Sequence, residues 1–213
     1  KGGTRSHLFS NTLVNLSLDN FEKSILRINY QKTSNDNYLK LFDLQSPLLL
    51  EDNSVLESKI EFDLEHENYD LMSSFEMYET LNGSNSDRYQ YALPAYDFSK
   101  NFILDNIMGS FNFNSYGNNT LNDTNVVTSS ISNDLNYSAL DKLFDSGIKT
   151  NFEVYFKNIN TVGKNNAAYK NSPQSELMSA YTYNASLPLI KKNSKTFNTL
   201  EPKLSLRFSP HEM

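Results

Sequence analysis

The stretch that decides the fold is Gly147–Asn160, GIKTNFEVYFKNIN. Ile148, Thr150, Phe152, Val154 and Phe156 fall on one face. Lys149, Asn151, Glu153 and Lys157 fall on the other, joined there by Tyr155. A period of two is that of a β-strand with one apolar and one polar face. At roughly fourteen residues it exceeds the usual strand of about five to six. A tilted strand that crosses a bilayer needs about nine to eleven.

The same alternation recurs along the chain. Upstream, strands are expected over Thr4–Asp19, Phe21–Ser34, Ser54–Glu65, Tyr69–Thr80, Leu93–Ile103, Ile107–Tyr116 and Val126–Ala139. Downstream, they are expected over Glu176–Ile190 and Thr196–Phe208. In Ser54–Glu65, Leu56, Ile60, Phe62 and Leu64 oppose Glu57, Lys59, Glu61 and Asp63. Pro94 is placed near a strand start, where a missing donor is tolerable. The fold class expected is therefore all-β: an antiparallel up-and-down meander of about ten long strands, a segment of a transmembrane outer-membrane β-barrel.

The connections predict the same thing. Asp19-Asn20 reads as a tight turn. Short links are also expected at His66–Asn68, Leu104–Asn106, Leu140–Ser146 and Lys191–Lys195. Long polar links are expected at 35–53, Leu81–Gln90, Gly117–Asn125 and Thr161–Ser175. Outer-membrane barrels alternate short turns with long loops in this way. The apolar faces would then meet lipid and the polar faces the lumen.

Composition is compatible with this. The 213 residues allow one large β domain, read here as 1–213 with no internal boundary. The chain opens at Lys1 and closes at Met213 directly after a strand-like run, so it is expected to be a piece of a longer protein. No run of about eighteen apolar residues exists, and the mean hydropathy is negative. Barrel strands carry apolar residues only at alternate positions, so neither fact excludes a barrel. The 14 Phe and 13 Tyr suit either aromatic girdles or an ordinary β core. The 29 Asn are read as codon bias, and triplets such as Asn15-Leu16-Ser17 as chance. A net charge of −6 with no basic block argues against a nucleic-acid surface. The absence of Cys removes disulfides and thiol chemistry from this segment.

No catalytic motif stands out. His7, His66 and His211 are scattered, and His211-Glu212 ends before a zinc-protease motif could form. There is no G-x-S-x-G elbow, P-loop or dinucleotide glycine pattern. The carboxylates Glu57, Glu61, Asp63 and Glu153 lie among Lys59 and Lys149 and read as a hydrated polar face. The expectation is no enzyme, no catalytic residue, no cofactor and no metal. The residues expected to line a lumen are Arg27, Glu57, Lys59, Glu61, Lys149, Glu153, Lys157 and Arg207.

Three segments then carry a family resemblance. LRINYQKTSNDNYLKLFDL (Leu26–Leu44) is similar to a strand followed by a Ser/Asn-Asp-x-x-Tyr-Leu element, through Ser34, Asn35, Asp36, Tyr38 and Leu39. Here Asp36 stands one residue closer to the tyrosine. DRYQYALPAYDFSKNF (Asp87–Phe102) is similar to a Tyr-Gln run leading into Leu-Pro and an aromatic strand. ASLPLI (Ala185–Ile190) with LEPKLSLRFSP (Leu200–Pro210) is similar to a Pro-Leu strand and a later Pro-x-Leu-x-Leu element. Together they resemble the C-terminal barrel domain of the LptD (OstA/Imp) family of lipopolysaccharide-assembly proteins. The family's periplasmic jellyroll and its cysteines are not in this chain.

The resemblance implies insertion of lipopolysaccharide into the outer leaflet of a Gram-negative outer membrane. It implies three partners: lipopolysaccharide itself, an LptE-like lipoprotein plug and a periplasmic LptA-like bridge. Arg27, Lys149, Arg207 or bridging divalent cations would meet the glycolipid phosphates. Two alternatives remain open: another outer-membrane barrel, such as a nutrient transporter or porin, and a soluble β protein that binds carbohydrate or acts as an adhesin. One sheet with exposed Leu, Ile and Phe fits a barrel. A sandwich that buries Phe62 and Phe152 between two sheets does not.

Overall fold

Period-two patterning leaves each strand with two unlike faces, and a meander is the simplest way to pair such strands in sequence order. The computed structural model describes residues 5–43, 46–49, 54–82, 87–103, 109–193 and 196–210. The Leu104–Asn106 turn and the His211-Glu212 pair lie outside them.

The strands are β1 (His7–Asn15), β2 (Lys23–Thr33), β3 (Val55–His66), β4 (Tyr69–Thr80), β5 (Tyr89–Ile103), β6 (Gly109–Asn122) and β7 (Val126–Ala139). They continue with β8 (Lys142–Leu143), β9 (Lys149–Lys164), β10 (Gln174–Ser186), β11 (Leu189–Lys192), β12 (Phe197–Leu200) and β13 (Lys203–Phe208). One short helix, α1 (Tyr38–Leu41), interrupts the connection between β2 and β3. The sheet runs β1-β2-β3-β4-β5-β6-β7-β9-β10-β13, with β8 paired to β9, and β11 and β12 form a separate two-stranded sheet. The chain is thus all-β, with each of the ten expected strands present in a meander. Among the described residues no pairing joins β1 to β13.

By proximity of its residues the chain divides into two units. The first comprises Lys1–Ser99, Ser115–Ser132 and Asn160–Ser175. The second comprises Lys100–Asn114, Asn133–Ile159 and Glu176–Met213.

Several boundaries differ from the pattern-based expectation. Gly117–Asn125 is not a long loop: β6 runs on to Asn122, and residues 123–125 alone turn the chain. Gly117 lies under the Tyr96 ring, where a Cβ would collide with that ring. The glycine read as a loop breaker is a close-approach site within the sheet. Tyr96 and Ser115 share a hydroxyl hydrogen bond of 3.2 Å there. The Thr161–Ser175 loop likewise shrinks to residues 165–173. Pro94 sits inside β5 rather than near its start, with Asn119 donating to its carbonyl oxygen at 3.3 Å. Glu176–Ile190 and Thr196–Phe208 each break in two, giving β10 with β11 and β12 with β13. The predicted alternation of short and long connections is therefore not kept.

The turn at Asp123 and Thr124 has φ of 48° and 63°. A hairpin turn with two left-handed residues favours Asn-Gly, and a β-branched residue there is strained. Thr124→Gly is expected to stabilise the protein by about 1 kcal/mol. A shift of the urea midpoint to higher concentration checks this; a lower midpoint contradicts it.

Buried side chains are mostly polar, and many large apolar ones are exposed. The fully buried apolar side chains among the described residues are Leu39, Leu56, Leu81 and Ala180. Leu39, Leu56 and Leu81 form one small cluster, with Phe9, Tyr38 and Leu49 packed against it. Most other buried residues are polar, including Gln31, Glu61, Asp63, Ser74, Glu79 and Thr150. In the first unit Ile28 faces Thr12 and Ile60, and Ile60 faces Phe75. Ile60 and Phe75 are 42% and 44% exposed. In the second unit Phe152 is 47% exposed. Phe62 is only half-buried, so neither phenylalanine is enclosed between sheets.

Candidate functional site

Chemistry on this sheet is concentrated on β2, β3 and β4 of the first unit. The turn between β3 and β4 has two residues, so His66 must face Tyr69, and every later pair follows from that. Lys59 comes to face Glu76, Glu61 to face Ser74 and Glu57 to face Tyr78. On the other side of β3, Arg27 faces Glu61 and Ile25 faces Asp63.

These registers build a continuous charged ladder. The Arg27 guanidinium donates to Glu61 and, at 3.1 Å, to Asp63. Lys23 bridges Asp63 at 2.9 Å and Glu65 at 2.6 Å. Lys59 bridges Glu61 at 2.7 Å and Glu76 at 3.1 Å. Tyr78 donates to Glu76 at 2.9 Å and to Glu57 at 3.4 Å. The Ser74 hydroxyl donates to Glu76 at 2.8 Å. Each cation sits between two carboxylates, which relieves repulsion between neighbouring acids on one face. Four carboxylates share three cations and Glu57 adds a fifth acid, so the ladder presents net negative charge.

A second cluster holds the β2–β3 connection. Arg88 makes a paired contact with Asp36 at 2.7 and 3.0 Å. The same guanidinium donates to Glu79 at 2.6 and 2.9 Å. Glu79 is 1% exposed and also accepts from Lys32 at 2.8 Å and from Tyr89 at 3.2 Å. Asp36 precedes α1, so this cluster ties the residues that carry Leu39 into the apolar cluster. Hydrogen bonding from Arg88 holds the Asp36 carboxyl below the ordinary aspartate value of 3.8. Its two carboxylate partners, Asp36 first, push the Arg88 guanidinium further up.

A depressed folded-state value means the contribution of Asp36 is complete above 3.8 and is lost as pH falls below it. Proteolysis within residues 34–49 is expected to rise as pH drops from about 4 to about 2. An acid-stable protease should show a smaller rise in Asp36→Asn, which keeps Glu79 but no carboxyl at 36 to titrate. Identical acid sensitivity in both proteins counts against the assignment.

The residues expected to line a lumen fall into two groups. Arg27, Glu57, Lys59 and Glu61 meet in the ladder. Lys149, Glu153, Lys157 and Arg207 belong to the second unit and are not brought into it. There Lys149 pairs with Asp141 at 2.6 Å and Lys157 with Asp134 at 3.4 Å. Glu153 and Arg207 line one shallow cleft with Thr182. No family model matches this chain, and no curated protein matches it.

Sequence reading missed Lys23, Glu65, Glu76 and Tyr78 in the ladder and the whole Asp36–Glu79–Arg88 cluster. The ladder partners were recoverable: a two-residue turn at 67–68 places Lys59 opposite Glu76. The second cluster had no such signal, because Asp36 and Arg88 lie in irregular segments far apart in sequence. His7 and His66 make aromatic contacts, His7 with Phe9 at 4.9 Å and His66 stacked on Tyr69 at 4.5 Å.

In the second unit the face opposite Lys149 and Lys157 carries a strip of rings. Phe111, Tyr137 and Phe152 follow one another at 4.7 and 5.4 Å. Phe156, Tyr181 and Phe208 follow at 6.2 and 6.4 Å.

Proposed function

We propose that this chain is part of the wall of an outer-membrane β-barrel that delivers lipopolysaccharide to the outer leaflet. The observation that carries the membrane reading is the burial pattern. Ile60, Phe75 and Phe152 are open while Glu61 and Asp63 are covered. In water such a face would be a large aggregation-prone apolar patch. Against acyl chains it needs no cover, and the ladder then faces a hydrated lumen.

The chain has no Cys, so single cysteines are clean reporters. In the full-length protein, Ile60→Cys, Phe75→Cys and Phe152→Cys should react with a membrane-dissolved maleimide and resist a water-soluble one. Glu57→Cys and Lys59→Cys should do the reverse. Equal labelling of both faces by the soluble reagent, in a protein that needs no detergent, supports the soluble β reading instead.

The lipopolysaccharide part of the proposal rests on the three resembling segments. Two structural facts support treating them as connected elements. The first two meet where Asp36 pairs with Arg88. The two parts of the third pair with each other, Ala185 with Leu204 and Leu189 with Leu200. An LptE-like plug would meet the polar face and an LptA-like bridge would supply the glycolipid. Arg27 and Lys149 are already held by carboxylates, which leaves Arg207 as the phosphate contact. Depleting the full-length protein should leave new lipopolysaccharide out of the outer leaflet. Normal delivery with lost nutrient uptake would favour the transporter or porin reading.

A further inference from the structure

Among the described residues β11 and β12 pair only with each other. Leu189 faces Leu200 and Lys191 faces Asn198 on one side. Ile190 faces Thr199 and Lys192 faces Phe197 on the other. All eight residues are exposed, Ile190 and Phe197 at 66% and 65%. A lone hairpin is marginal in water, and large apolar side chains open on both faces make it more so. Something must cover both faces.

The neighbouring connection has the same character. Leu140, Leu143 and Phe144 are exposed, and the Lys142 ammonium lies 5.1 Å from the Phe144 ring centre. Gly147, in this connection, lies beside Leu187 at the hairpin root. Asp141 and Glu201 are occupied by Lys149 and Lys203. Among the described residues, Lys142, Lys191 and Lys192 have no acidic partner. Against these three lysines stands one further exposed acid, Asp145, so this apolar end keeps a positive balance on a chain of net charge −6.

We propose that β11 and β12, with residues 140–148, form an anchor that lies in the headgroup layer of an anionic bilayer. Leu189, Ile190, Phe197 and Leu200 enter the acyl boundary while the lysines reach lipid phosphates. A protein groove covers one face of a hairpin; a fluid interface surrounds both. This lipid contact adds to the barrel reading and does not depend on lipopolysaccharide delivery.

The chain has no Trp, so Phe197→Trp gives a single reporter. The full-length protein carrying it, with any Trp elsewhere replaced by Phe, is reconstituted into vesicles of phosphatidylcholine with or without phosphatidylglycerol. The expected result is a blue-shifted emission quenched by brominated lipid, stronger with phosphatidylglycerol. Lys191→Gln with Lys192→Gln should weaken the quenching, with apparent lipid affinity falling about fivefold per lysine. Water-like emission in both vesicles overturns the proposal. So does quenching indifferent to lipid charge and to both lysines, or shielding that appears only when a second protein is added. Ile60→Trp, read in parallel, separates the two ideas. If it is quenched from mid-bilayer while Phe197→Trp is not, the anchor fails and the barrel stands. If Ile60→Trp is not quenched, the barrel reading fails whatever the hairpin does.

Discussion

Arg88→Ala is expected to free residues 34–49 from the end of β2–β4 and to lower stability by about 3 kcal/mol. The reason is Glu79. Its carboxylate is almost fully covered, and Arg88 supplies two of its hydrogen bonds. Without Arg88 the buried charge keeps Lys32 and the Tyr89 hydroxyl, and Asp36 loses the guanidinium it pairs with. Breaking one side of a covered ion pair costs more than the pair contributes. Arg88→Leu combined with Glu79→Leu should therefore recover much of the loss. Urea unfolding gives the stability, and protease cleavage within 34–49 gives the local release. An unchanged cleavage pattern in Arg88→Ala would remove the idea that this cluster secures α1.

Arg27→Glu is expected to have the larger effect, a loss of about 4 kcal/mol. It sets a third acid against Glu61 and Asp63, both nearly covered, and removes the cation that joins them. Lys59 still reaches Glu61 and Lys23 still reaches Asp63, but neither joins the two. Arg27→Lys should cost far less, about 1 kcal/mol, because it keeps the charge and loses the two-pronged fork. The reversed pair, Arg27→Glu with Glu61→Arg, should restore part of the loss, read as a coupling in a double-mutant cycle. A simple sum of the two single effects would show that the ladder is decoration on the sheet.

The strands were legible because each keeps one face apolar over many residues. That signal survives in β2, β3 and β4, whose expected and observed spans agree closely, and in β9, which runs four residues past its expected end at Asn160. It fails at residues 117–122, where Gly117, Asn118 and Asn119 carry loop chemistry but serve the sheet. Gly117 makes room for the Tyr96 ring, and Asn119 accepts from the Ser129 hydroxyl at 2.5 Å. Side-chain type alone cannot reveal a cross-strand neighbour. The same limit explains the charged residues. Arg27, Glu57, Lys59 and Glu61 were found as a polar face, while their bonding pattern needed a register. The break after Ser186 had no periodic signal either, since alternation continues through Leu187 and Leu189.

The meander has a consequence for how such a chain can change over generations. In the main sheet each strand is laid against the one made just before it, from β1 through β7 to β9, β10 and β13. No strand is threaded between two older neighbours. Duplicating or deleting a hairpin in the gene would widen or narrow the sheet by two strands and leave every other pairing intact. A change in strand number is then a matter of copy number, reached without inventing a new fold.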